Sequence, residues 1–232
     1  MGMKSMLFFV VLWTVGGCEV GDLSGKQFSF PSDPRGVNQP HVVLHTKVAS
    51  ISTMTVCLRF FSQLNRMQGL FSLATRNHEN ALMLNKDGDG SYKVHVASES
   101  YVYEKLPTKK FDWNSVCWTW DSGTGLTQLW LNGLRTSQKL VGLNYVVRRD
   151  LNIVVGQEQD EFGGGFKTSD SFEGDITDLH MWDHVVSSCD IRSYMNQGSF
   201  TPGNLLSWSQ LNYEVVGNVF IKDADFEEPI CQ

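Results

Sequence analysis

Residues Val116–Gly133 read VCWTWDSGTGLTQLWLNG. Val116, Trp118 and Trp120 share one parity, and Cys117 and Thr119 the other. That period of two is the mark of a strand with one buried face. Leu126 to Leu131 forms a second strand, and Asn132-Gly133 follows it. The favoured two-residue hairpin turn needs positive φ at both central positions, which Asn-Gly supplies. The pattern continues outward. In Thr55–Phe61 the apolar parity is Val56, Leu58 and Phe60, while Cys57 stands on the more polar one with Thr55 and Arg59. Lys86–Gly90 (KDGDG) reads as a tight turn between Ala81–Leu84 and Tyr92–Val96. Leu151–Val155 is a short apolar run that fits a buried strand, and Leu211–Ile221 reads as one alternating strand. One helix is expected, with Ser188 as N-cap, Cys189–Asn196 as body and Gly198 as the stop. Many strands with turn signals and one short helix define an all-β fold, an antiparallel jelly-roll sandwich.

The chain has 232 residues and a net charge of -6. That balance argues against nucleic acid as a partner, since phosphate tracks need basic patches. Residues 1–18 read as a signal peptide. Lys4 gives a positive start, Met6 to Val15 an apolar run too short to span a bilayer, and Gly16, Gly17 and Cys18 a small-residue cleavage site. A secreted, extracellular single domain over residues 19–232 is expected, with no membrane span. Cleavage after Cys18 leaves Cys57, Cys117, Cys189 and Cys231, which allow three connectivities. The polar parity of Cys57 and Cys117 fits a bridge between strands.

Function concentrates in Gly156–Ser171, GQEQDEFGGGFKTSDS. Three acids (Glu158, Asp160, Glu161), three consecutive glycines and Asp170 make this a loop that gathers carboxylate and amide oxygens. Such oxygens suit calcium, which takes several of them at flexible geometry.

Two segments carry a resemblance. Cys117-Trp118-Thr119-Trp120-Asp121-Ser122 resembles the pentraxin signature, with Ser115 where the family places His. GQEQDEFGG is similar to the calcium loop of the short pentraxins, and further matches run through Gly174-Asp175-Ile176, Met181-Trp182-Asp183 and Leu211–Val215. The resemblance implies a flattened jelly roll like that of legume lectins and a Cys57–Cys117 disulfide. It implies assembly as a homo-oligomeric ring, usually of five subunits. It also implies calcium-dependent binding of phosphorylated or anionic ligands on microbes and damaged cells, with complement engagement and opsonisation. Three outcomes stand open for Cys189 and Cys231, a bridge to each other, a bridge between subunits or free thiols, and the bridge within the chain is the favoured one.

Carried over by residue, the resemblance assigns Glu158, the Gln159 carbonyl and Asp160 as calcium ligands, joined by Glu79 and Asn80 from an earlier turn. The family's second ion draws on two further loop positions, occupied here by Lys167 and Asp170. A lysine beside a dication costs Coulomb energy, so a weakened second site is expected. The family's aromatic and acidic contacts for choline fall on Asn85 and Ser100, which predicts little recognition of choline.

Other readings are weaker. Asp87-Gly88-Asp89 hints at an EF-hand loop, but its twelfth position is Ser98. The six histidines show no metal-ligand spacing. A jelly-roll glycoside hydrolase would use Glu158 and Asp160 as part of E-x-D-x-E or E-x-D-x-x-E, but Phe162 and Gly163 occupy the places of its second glutamate. A non-enzymatic role is therefore expected.

Overall fold

The computed structural model describes residues 19–32 and 39–225; the expected signal peptide and Cys231 lie outside them. Two large antiparallel sheets form a sandwich. The first runs, strand beside strand, Glu19–Gly21, Leu211–Val216, His41–Leu44, Asn152–Val155, Met67–Thr75, His78–Asp87, Tyr92–Val96 and Glu99–Tyr103. The second runs Leu134–Arg135, Leu126–Leu131, Asn114–Asp121, Thr53–Phe61, Gly174–Trp182, Lys26–Phe30 and Phe220–Asp223, with Lys139–Leu140 also pairing on Leu126–Leu131. Between the sheets lies the main core. Leu82, Leu84, Val94 and Val96 from the first sheet and Val56, Leu58, Phe60, Trp118 and Trp120 from the second are all buried in it. Alternation thus sends the expected parity inward.

The other parity of the second sheet is not a solvent face. Cys57 and Cys117 stand directly opposite one another on paired strands and form a disulfide. They pack with Trp130 and Trp182 beneath Ile191, Tyr194 and Met195 of the helix Ser188–Met195. Arg59 is buried here too. Its guanidinium donates to Asp178 Oδ2 at 2.9 Å, to Tyr194 O and to the Oγ of Ser115.

Two sequence expectations need correction. The helix N-cap is Ser187, whose Oγ accepts from Asp190 N at 3.2 Å. The helix ends with Gln197 at φ 57, its N–H on Tyr194 O and that of Gly198 on Ser193 O, a Schellman closure. Leu211–Ile221 is two strands. Leu211–Val216 lies in the first sheet, Gly217 turns at φ 74, and Phe220–Asp223 joins the edge of the second. Ile221, expected on the buried face, is 41% exposed. The two hairpins behave as expected: Asn132 and Gly133 both have positive φ, and Asp87 N donates to Ser91 O across the other turn. Cys189 is exposed and forms no disulfide among the described residues.

Candidate functional site

The strand Asn152–Val155 sits mid-sheet, between His41–Leu44 and Met67–Thr75, and delivers the acidic loop at Gly156. Gly156 turns at φ 89 with Phe30 packed where a Cβ would stand. The loop then crosses the outer face of the first sheet in direct contact with Gly69. A Cβ on Gly69 would lie 2.5 Å from Gln157 C and 2.7 Å from Glu158 N. Only glycine admits the loop so close to the sheet.

Two buried amides hold it there. Gln157 Nε2 donates to Ser171 Oγ at 2.8 Å and to Pro40 O at 3.2 Å. Gln159 Nε2 donates to Ser72 O at 3.1 Å and Asn152 O at 3.2 Å, and its Oε1 accepts from Gly163 N at 2.9 Å. Both glutamines are fully buried. With Gln157 and Gln159 buried, Glu158 is left half-buried and Asp160 exposed. The far arm is fixed by Arg66, which donates to Ser169 O and Ser171 O and pairs with Glu173 at 3.0 Å.

Electrostatics show which acids the fold gathers. The Glu158 carboxyl is pushed up to about 7, first by burial and then by the nearby charges of Asp170 and Asp160. Lys167 and Lys93 act in the opposite sense. Lys167 Nζ pairs with Asp160 Oδ2 at 2.7 Å. Glu158, Asp160 and Asp170 therefore share one locality with Lys167. Glu79 is exposed, and its carboxylate enters no hydrogen bond or ion pair among the described residues. Asn80 is partly buried, and its Oδ1 is an acceptor shielded from water with no partner. No three described His, Cys, Asp or Glu side chains form a finished ion cage. The residue types nonetheless suit a hard cation: Asp170 and Asp160 close enough to Glu158 to disfavour its charge, and in Asn80 an orphaned amide oxygen.

The neighbouring sheet face holds more than the sequence reading found. Asn85 pairs with Lys93 and with Gly69, and His95 pairs with Met83 and Ser100. Cross-strand partners share a face, so Asn85, Lys93, His95 and Ser100 all lie on the outer side, opposite the core-facing Leu84, Val94 and Val96. Asn85 is buried, its Nδ2 donating to Met67 Sδ, while its Oδ1 has no partner; nor has His95 Nε2. Burial, with Lys93 nearby, lowers the His95 pKa to about 4. Lys93 and His95 were legible only through the register: both have the parity opposite to Tyr92, Val94 and Val96.

A two-sheet antiparallel sandwich with an anchored, oxygen-rich loop on one outer face defines the chain as a jelly-roll domain. More narrowly, the chain belongs to the pentaxin family, whose model matches residues 26–223. Human serum amyloid P-component is 39% identical over 205 residues, covering 87% of this chain and 88% of that protein. C-reactive protein of Sus scrofa is 32% identical over 219 residues, covering 94% and 96%. The heptameric SAP-like pentraxin of Limulus polyphemus superposes with a TM-score of 0.82 at 24% identity, over 90% of this chain and 99% of its own.

Proposed function

We propose that this protein is a secreted recognition protein of innate immunity that binds phosphate-bearing or other anionic groups through calcium. The observation that carries the reading is the gathering of Asp170 and Asp160 around a half-buried Glu158, whose carboxyl is pushed up to about 7 first by burial and then by those two charges. A loop built to make carboxylates repel one another is stabilised by a cation that satisfies them. Glu158, Asp160, Asp170, the Gln159 carbonyl and Asn80 would hold the ion, with Glu79 drawn in from the exposed start of the strand His78–Asp87. Bound calcium supplies a positive charge that an anionic ligand oxygen can share. Lys167, already paired with Asp160, stands in place of a second ion, so one calcium per subunit is the reading.

The sheet beside the loop sets ligand choice. Lys93 brings positive charge to this face, while the orphaned Asn85 Oδ1 and His95 Nε2 are shielded from solvent and would have to be uncovered before a ligand hydroxyl or amine could reach them. No aromatic ring or acid stands at Asn85 or Ser100 to hold a quaternary ammonium. Phosphate monoesters and acidic sugars therefore fit, and choline adds little. Complement engagement and a ring of identical subunits are part of the same proposal, with family membership as their support.

The experiment is capture of the secreted protein on immobilised phosphocholine, phosphoethanolamine and acidic polysaccharide, each with calcium and then chelator. Retention in calcium and release by EDTA on the second and third supports the reading. Retention indifferent to EDTA refutes calcium dependence, and a wide preference for phosphocholine refutes the ligand assignment. A two-carboxylate hydrolase using Glu158 and Asp160 would keep its turnover in EDTA.

A further inference from the structure

The short strand pair Ser50–Ile51 and Val147–Arg148 and the turn after Thr75 border a groove of about 520 Å³. Its charged lining is Arg76, Arg148, Arg149 and Asp150, beside Ser50 and Asn77. Arg76 pairs with Asp150 at 3.2 Å and lays its guanidinium 4.9 Å from the centre of the Phe162 ring in the acidic loop. Arg148 and Arg149 are exposed and have no acidic partner among the described residues.

Their shared position has a backbone cause. A continued strand would send Arg148 and Arg149 to opposite sides. Instead Arg149 and Asp150 leave the extended region at φ 34 and 49, Arg149 N donating to Ala49 O at 3.1 Å, and both arginines line the groove. Two successive non-glycine residues in that region are costly and cluster where function requires them. In a chain of net charge -6, two unpaired guanidiniums side by side run against the general field. Arginine forks match the oxygens of sulfate and phosphate esters.

We propose that this groove is a second, calcium-independent anion site that takes a sulfate- or phosphate-ester group of an acidic polysaccharide. The lining has hydroxyl and amide donors for sugar hydroxyls in Ser50, Thr75 and Asn77. It lacks the aromatic platform on which single-stranded nucleic acid stacks. The acidic overall charge opposes a long duplex backbone. Contact of Arg76 with Phe162 sets the groove beside the acidic loop, so one polyanion can engage both sites.

The test is binding of a heparin-derived hexasaccharide and its desulfated form to the full secreted protein in EDTA, measured by surface plasmon resonance. Variants are Arg148→Gln/Arg149→Gln and, as an equal loss of charge elsewhere, Lys109→Gln/Lys110→Gln. The sulfated probe should bind in EDTA, at least tenfold more tightly than the desulfated one. The arginine variant should weaken it tenfold or more, and the lysine variant less than twofold. Absence of binding in EDTA, equal weakening by both variants, or tighter binding of duplex DNA overturns the proposal. Calcium-dependent capture on phosphoethanolamine, which the arginine variant should retain, reports its folding. Loss of that capture in the unsubstituted protein would count against the calcium site alone.

Discussion

Gly69→Ala isolates the seating of the acidic loop. Gly69 lies in an ordinary strand conformation, so alanine meets no backbone penalty there and restricts the unfolded chain, a gain of about 0.4–1 kcal/mol. The new Cβ, however, would lie 2.5 Å from Gln157 C, where ordinary contact begins at 3.4 Å. The loop backbone must therefore rise by about 0.9 Å, the difference of those two distances. Overpacking of this kind costs about 1–3 kcal/mol, so the net loss of global stability is about 0.5–2 kcal/mol. The larger effect falls on the loop. The Gln159 bonds to Ser72 O and Asn152 O, now 3.1 and 3.2 Å, would stretch to about 4 Å, beyond hydrogen-bond reach. With that anchor gone, Glu158 and Asp160 are no longer held in place. Calcium affinity should fall tenfold or more in titration calorimetry while urea unfolding shows only the modest loss. Gly123→Ala, whose Cβ meets nothing nearer than Asp121 Oδ1 at 3.4 Å, should change neither. Should Gly69→Ala bind calcium within twofold of the unsubstituted chain, the account of how the loop is positioned is wrong.

Three further outcomes follow from the same geometry. Because Glu158 is raised to about 7 by burial, Asp170 and Asp160, the metal-free fold loses stability as pH climbs from the ordinary carboxylate range through 7. Calcium must displace that proton at lower pH, so its affinity should fall about tenfold per unit below 7 and level off above; calorimetry in buffers of different ionisation heat would count the proton, and a flat profile from pH 6 to 8 contradicts the assignment. Lys167→Glu replaces the ammonium paired with Asp160 by a carboxylate, and equilibrium dialysis should then count two calcium ions per subunit instead of one; two in the unsubstituted protein removes the argument for Lys167. Replacing Cys57 and Cys117 together by Ser opens a loop with a sequence separation of 60, worth about 4 kcal/mol in the chain-entropy model, and a shift in urea midpoint corresponding to less than 1 kcal/mol would show that the bridge adds little to the helix-covered cluster.

Period-two alternation made most of the strands legible, because burial on one face forces it. It misled at Leu211–Ile221, where Val219 and Ile221 resume the earlier parity after Gly217 has turned the chain into the other sheet. Parity records alternation but not the sheet a strand joins. The helix start was displaced by one residue, since Ser187 and Ser188 are both fit to cap and only geometry chooses. The polar parity of Cys57 was legible as fit for a bridge between strands, but not the cover that Ile191, Tyr194 and Met195 place over it, because that cover comes from far along the chain. Glu158, Asp160 and Asp170 were legible as acids in one loop. Gln157 and Gln159 were not legible as anchors, because a buried amide and an exposed one look alike until its partners are known.

This division of labour in the loop has an energetic logic. Anchoring Gly156–Asp160 by ion pairs would have consumed the carboxylates that a cation needs. The chain instead uses neutral amides, bonded to Ser72, Asn152, Ser171 and Pro40, which fully satisfied polar groups can do at low cost in a buried setting. Charge is kept for Glu158, which is unsatisfied, and for Asp160, which is met only by an exposed lysine. An exposed ion pair of that kind is weak and screened by salt. The fold thus holds the loop backbone firmly while leaving its carboxylates poorly neutralised, which is the condition under which an external cation gains most by binding.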